Sequence, residues 1–182
     1  MACDLTRGRK EPCKDVVGGL KAVYFTDFGD LGTVTKTDDQ ITDLSGTFTA
    51  YKYELKGGSS FEQSITSSRE NGTTYFEQTL NLTLKKLSKE DNKEIKLLAY
   101  GRPHIAVEDY NGNVFVMGLE HGAEVTGGTI VTGGAMADLS GYTLTFSASE
   151  LQPANFVDAP TAADPYAGMG SATVTVTEGS NS

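Results

Sequence analysis

The chain has 182 residues and a formal net charge of −9, with a sequence pI near 4.7, which disfavours a DNA-binding surface built on counterion release. Its length suits one domain of roughly 100–200 residues, with 38% hydrophobic residues to supply a core, and 21 Gly beside many Thr point to β-structure with frequent turns. No apolar run approaches the roughly 18 residues of a membrane span, and Arg7, Arg9 and Lys10 lack the apolar run of a signal peptide behind them, so no passage through a membrane by the secretory route is expected.

Residues 1–19 mix charges with Pro12 and the Gly18–Gly19 pair and read as an extended arm, which frays unless it finds a neighbour. Cys3 and Cys13 both lie in it. With His104 and His121 as the only histidines they make no metal motif, and free thiols are expected in a reducing compartment. Leu20–Phe28 is an aromatic strand, Gly29–Gly32 a turn, and Thr33–Lys36 a short strand. Asp38, Asp39 and Asp43 mark a polar loop. From Thr47 to Lys56 the chain alternates, with Tyr51, Tyr53 and Leu55 on one side and Lys52, Glu54 and Lys56 on the other. Gly57–Ser60 then leads into the central stretch.

Phe61–Leu87 reads as one long hairpin with two unlike faces. Asn71-Gly72 at its tip favours a type I′ turn, which sets Phe61 opposite Leu82, Ile65 opposite Gln78 and Ser67 opposite Phe76. Phe61, Ile65, Phe76, Leu80, Leu82 and Leu84 then share a buried face. On the other face Glu62 meets Asn81, Ser64 meets Thr79 and Thr66 meets Glu77. That face is small, polar and acidic, with no positive charge in its middle.

After Leu87 the period changes to about 3.6. Ser88 is a natural N-cap, Glu90 and Asp91 suit the positive end of the helix dipole, Ile95, Leu98 and Ala99 form an apolar stripe, and Gly101 and Pro103 stop the helix. One short helix covers a sheet and cannot build a bundle. A second Asn-Gly hairpin at Asn111-Gly112 sets Val107 opposite Val116 and Ile105 opposite Gly118. Weak strands follow near Val125 and Ile130, then a clear one in which Tyr142, Leu144, Phe146 and Ala148 alternate with Thr143, Thr145 and Ser147. Pro153–Pro165 reads as a loop and Ala172–Thr177 as a last strand.

No catalytic set assembles from these residues. His104 and His121 stand beside no nucleophile and read as structural or surface histidines. Glu108 and Asp109 point to opposite faces of a strand, unlike a glycosidase pair. The glycines at 127, 128, 133 and 134 lack the Lys and Ser/Thr of a phosphate loop, and Asp38, Asp39 and Asp43 lack calcium-loop spacing. No cofactor or metal is expected.

Tyr110–Gly122, YNGNVFVMGLEHG, and Val125–Phe156, VTGGTIVTGGAMADLSGYTLTFSASELQPANF, carry an Asn-Gly-aromatic-Gly hairpin in Asn111, Gly112, Phe115 and Gly118. A D-x-x-G-Y strand follows through Asp138, Gly141, Tyr142, Leu144, Thr145 and Phe146, with Glu150 and Pro153 at its exit. This pattern resembles the tail tube (major tail) proteins of tailed bacteriophages. The resemblance implies a mainly β fold, a β-sandwich or split barrel with one short flanking helix, and a single domain over residues 1–182 with the arm at 1–19. It implies hexameric rings stacked into a hollow tube in the virion tail, assembled in the host bacterial cytoplasm. Its partners would be further copies and the tape measure, terminator, baseplate and, where a tail has one, sheath proteins. DNA passes through without specific binding. In that setting Glu62, Ser64, Thr66, Glu77, Thr79 and Asn81 line the bore. Arg7 and Lys10 of the arm, the loop of Lys56, Gly57, Gly58 and Ser59, and the loop 153–165 make ring-to-ring contacts. The alternatives are another virion component, such as a terminator or head decoration protein, and a carbohydrate-binding or adhesin sandwich; an enzyme ranks last.

Overall fold

The segment LKAVYFT is apolar on both of its faces, so it demands cover on both. In the computed structural model, which describes residues 5–180, it forms β1 (Leu20–Thr26), with Val23 and Phe25 in one core and Ala22 and Tyr24 in a second. The remaining strands are β2 (Val34–Thr37), β3 (Gln40–Leu44), β4 (Thr47–Glu54), β5 (Ser60–Ser68), β6 (Thr73–Lys85), β7 (His104–Asp109), β8 (Val114–Met117), β9 (Glu124–Val131), β10 (Gly141–Glu150), β11 (Asn155–Val157) and β12 (Thr173–Glu178), and the helix is α1 (Lys89–Tyr100). They make an eight-stranded sheet in the order β12-β4-β1-β7-β8-β11-β3-β2 and a four-stranded sheet in the order β5-β6-β10-β9. The protein is thus mainly β, with two packed sheets that do not close into a barrel.

The first core lies between the sheets. Leu80, Leu82, Tyr142, Leu144 and Phe146 from β6 and β10 meet Val23, Phe25, Ile105, Val107 and Met117 from the larger sheet. Fully burying each such side chain contributes roughly 1.5–3 kcal/mol. Helix α1 packs on this core through Ile95 and Leu98. Its N-cap forms as the sequence predicts, with Asp91 N–H donating to Ser88 Oγ (3.0 Å), and the Tyr142 hydroxyl anchors the cap by donating to the Ser88 carbonyl (3.0 Å). The second core lies on the far face of the eight-stranded sheet, where Tyr24, Ile41, Leu44, Phe48 and Val116 are covered by Tyr166 and Met169 from the segment before β12.

Both Asn-Gly turns differ from expectation, for one reason. In each, only the glycine enters the left-handed region, at φ 64° for Gly72 and 82° for Gly112, so neither is a type I′ turn. A polar side chain upstream captures the asparagine's backbone N–H instead. Asn71 N–H donates to Ser68 Oγ (3.3 Å), and Asn111 N–H donates to the Asp109 carboxylate (2.9 Å). The first hairpin consequently carries a four-residue loop, and its pairing moves by two: Phe61 faces Leu80, Ile65 faces Phe76, Glu62 faces Thr79 and Ser64 faces Glu77. An even shift leaves every side chain on its expected face. The second hairpin moves by one, with Ile105 opposite Met117 and Val107 opposite Phe115. An odd shift flips faces, and it is tolerated because β7 is buried on both.

Ile65 and Phe76 do not reach the core, because the hairpin outruns the larger sheet; Ile65 is 68% exposed. The expected polar loop after Lys36 is instead a tight hairpin turn at Asp38-Asp39 followed by β3, and β11 interrupts the expected loop at 153–165. Residues 5–19 are exposed throughout. Cys13 is exposed on it, and Cys3 lies outside the described residues.

Asp109 carries a testable consequence of this turn chemistry. Burial pushes its carboxyl up, but hydrogen bonds from Asn113 and Asn111 outweigh that and hold it below the usual carboxylate range. Its stabilising contribution is therefore present above the unfolded value near 3.9 and lost as pH falls through the folded value. Asp109→Ala should lower unfolding free energy by about 1 kcal/mol at pH 7, and the gap to the parent should shrink below about pH 4, as read by urea titration.

Candidate functional site

The outward face of the four-stranded sheet is a continuous and mostly polar surface, with the ring of Tyr75 opposite Thr66 near the hairpin tip. β5, β6 and β10 each alternate, so once their apolar residues face the core, the intervening positions must share the opposite face. This gathers Glu62, Ser64, Thr66, Glu77, Thr79 and Asn81, the six residues singled out from the hairpin, on one surface. The β6–β10 ladder then sets Thr143, Thr145, Ser147 and Ser149 directly beside Thr83, Asn81, Thr79 and Glu77. The alternation of β10 is legible in the sequence, but its hydroxyls reach this face only through the β6–β10 pairing, and the signal for that is the common parity of two strands destined for one core.

Cross-strand hydrogen bonds knit the face together. Thr145 Oγ1 donates to Asn81 Oδ1 (2.9 Å), the Thr129 and Thr143 hydroxyls lie 2.6 Å apart, and Thr126 Oγ1 donates to the Thr145 carbonyl (3.3 Å). One row across the sheet runs Glu62, Thr79, Ser147, Glu124, which places a carboxylate on each edge strand with hydroxyls between. Lys85 lies at the far end of β6, where its ammonium donates to the Lys56 carbonyl (3.1 Å). The surface is therefore hydroxylic and weakly acidic, and β5 and β9 leave its two edges open.

The loop of Lys56, Gly57, Gly58 and Ser59 crosses from the large sheet to the small one. Gly57 and Gly58 both have positive φ, 78° and 70°. Its backbone is held against β6, for Thr83 Oγ1 donates to the Gly58 carbonyl (2.8 Å) and Thr83 N–H to Ser59 Oγ (3.1 Å). Arg7 and Lys10 stand on the exposed arm.

The titratable groups elsewhere have structural work. His104 is buried, with Nδ1 2.7 Å from the Gly118 carbonyl and Nε2 accepting from Gly29 N–H (3.1 Å). Burial pushes it below the usual imidazole value, in keeping with a neutral ring. Glu108 is buried between Lys21 Nζ (2.6 Å) and the Tyr24 hydroxyl (3.0 Å). The fold does bring Glu120, His121 and Glu150 together, with one potential metal-ligand atom from each within 4.8 Å of the others, which sequence separation hid. Here Glu150 caps a turn: it accepts N–H bonds from Glu120 (3.1 Å) and His121 (2.9 Å) and faces His121 Nδ1 at 3.0 Å. Lys36 Nζ lies 3.7 Å from Glu120. No helix among the described residues is long and apolar enough to cross a membrane.

Neither a family model, nor a curated protein, nor a solved structure matches this chain.

The hydroxyls of this face bond across the strands but belong to neither core, so their removal is expected to cost little. The triple variant Thr79→Val, Thr143→Val and Thr145→Val should stay within about 1 kcal/mol of the parent. It should also gain binding of a hydrophobic dye, because the new surface is apolar; urea titration and dye fluorescence check both outcomes.

Proposed function

We propose that this protein is a structural subunit of a hollow tube, of the kind formed by the tail tube proteins of tailed bacteriophages, and that the outward face of the four-stranded sheet lines its bore. One observation supports this reading above the rest: a continuous hydroxylic, weakly acidic sheet face bounded by two open strand edges. Open edges invite pairing with another sheet. Joining β5 of one copy to β9 of the next extends the face without a break and leaves the small sheet with no exposed edge in a closed ring.

Dimensions agree with a conduit. Six such four-stranded sheets would make a wall of about 24 strands, and at about 4.8 Å between neighbours its backbone diameter is about 37 Å before strand tilt widens it. That leaves room for a DNA duplex inside the side chains. The chemistry agrees as well. Ser, Thr and Asn hydrate the wall, while Glu62, Glu77 and Glu124 repel phosphates, so DNA slides without sticking. The arm, with Arg7 and Lys10, and the 56–59 loop are the ring-to-ring contacts in this account. The neighbouring components would be the tape measure, terminator and baseplate proteins of a virion tail. No reaction, cofactor or metal is part of it.

Purified protein at high concentration should form long hollow filaments in negative stain, whereas a terminator would stop at single rings and an adhesin would remain monomeric. Tails built from Glu62→Lys/Glu77→Lys protein should keep their diameter yet eject DNA more slowly, since each copy then offers two phosphate-binding ammonium groups. Ejection at the parent rate would contradict the assignment of this face to the bore.

A further inference from the structure

Beside the open edge of β5 the two sheets gape. Phe61 of the small sheet meets Phe115 of the large one across the opening, and Phe115 meets its cross-strand neighbour Phe156, the rings tilted to one another with centroids 6.2 Å and 4.5 Å apart. Two clefts meet at Phe115 and Gln63. One, of about 470 Å³, is lined by Asp38, Asp39, Phe115 and Phe156 among others, and the second, of about 420 Å³, reaches the root of the arm at Val17 and Leu20. Asp38 and Asp39 form the tip of the β2–β3 hairpin, both in the left-handed region at φ 50° and 61°. Aspartate tolerates that region better than most residues, and the turn displays two adjacent carboxylates over an aromatic floor. Neither carboxylate has a hydrogen-bond or ion-pair partner among the described residues.

The arm has the complementary chemistry. Within a chain of net charge −9 it carries Arg7, Arg9, Lys10 and Lys14 against Glu11 and Asp15 over the described residues 5–19. Arg7 and Arg9 are two residues apart, so a docked arm that runs as a strand presents both to the same side. It leaves the body at Val17, which is held by Asn111 through bonds of 3.0 Å and 2.8 Å, and beyond that point it stays exposed, with none of its described residues among those lining the Asp38–Asp39–Phe115–Phe156 cleft of its own chain. From Val17 to Arg9 it spans about 26 Å when extended, enough to reach a second molecule.

Resting on the reading of this protein as a self-assembling subunit, we propose that the arm of one copy docks in the Asp38–Asp39–Phe115–Phe156 cleft of another, with Arg7 and Arg9 on the two carboxylates and their guanidinium planes over the phenylalanine rings. Arginine gives bidentate contacts to carboxylates and stacks on aromatic faces. The chain already uses the second contact, for Arg102 Cζ lies 4.2 Å above the Phe28 ring centre. Because each copy offers one arm and one cleft, the contact is heterologous and propagates.

Charge reversal in the full chain tests it. Arg7→Glu/Arg9→Glu and Asp38→Lys/Asp39→Lys, each alone, should raise the concentration needed for association at least about tenfold in sedimentation velocity, since two attractive pairs become repulsive. An equimolar mixture of the two variants should restore association to near the parent level, because the acidic arm of one then fits the basic cleft of the other. That rescue also shows that both variants fold. A mixture that stays dissociated while the chain carrying all four substitutions associates would place the contact within one chain and overturn the proposal. So would single variants that associate like the parent, and so would a parent that stays monomeric at every concentration. Normal hollow tubes from both single variants would remove the arm contact and leave the tube reading intact. Rescue in the mixture without hollow tubes would do the reverse.

Discussion

Everything in this structure depends on the pairing of β6 with β10, which runs unbroken from Gly141 opposite Lys85 to Glu150 opposite Phe76. Two alternating strands in register along that length can bury only one of their two faces. The leucines and aromatic rings of both go inward against β1 and β7, and the hydroxyls of both are thereby driven outward together. The polar face is thus a by-product of core formation as much as a surface in its own right. Its uniformity follows from the sequence's keeping large apolar and basic residues out of the intervening positions in mid-strand. The close approach of the two backbones is enforced locally, for a Cβ on Gly141 would overlap the Leu84 carbonyl oxygen.

How much of this was legible beforehand is best seen residue by residue. Period-two alternation showed which side of β5 and β6 each residue takes, and the assignment survived a wrong turn type because the error moved the register by two. The same error at Asn111-Gly112 moved it by one and exchanged the faces. In both cases the missed signal was a short polar side chain just before the turn, Ser68 or Asp109, whose oxygen competes for the N–H that a type I′ turn leaves free. Helix α1 was readable because its cap, dipole and stripe agree with one another. Strand β11 was not, since it is three residues long and pairs with partners distant in sequence. Ile65 illustrates a different limit, as alternation assigns a face but cannot say where the opposing sheet ends.

The candidate face was half legible. The hairpin half was apparent because its two strands are adjacent in sequence, whereas Thr143, Thr145 and Ser147 join from a strand that pairs only after a helix, another hairpin and β9 have intervened. The cleft at Phe115 and Phe156 lies between sheets whose packing no local pattern encodes, and the meeting of Glu120, His121 and Glu150 depends on the same packing. What ties these features to one account is that the small sheet's two edges, β5 and β9, and the exposed basic arm are the parts that the proposed assembly would pair.

The most direct measurement is thiol labelling of a single cysteine placed at Thr145, in a Cys3→Ser/Cys13→Ser background, in assembled material and in dissociated protein. A small maleimide should react in both states, while a polymer-linked maleimide too bulky to enter a bore should react only with dissociated protein. Equal labelling by both reagents in the assembly would put this face on the outside, and protection from both would bury it between protein layers; either result contradicts a solvent-filled channel walled by the four-stranded sheet.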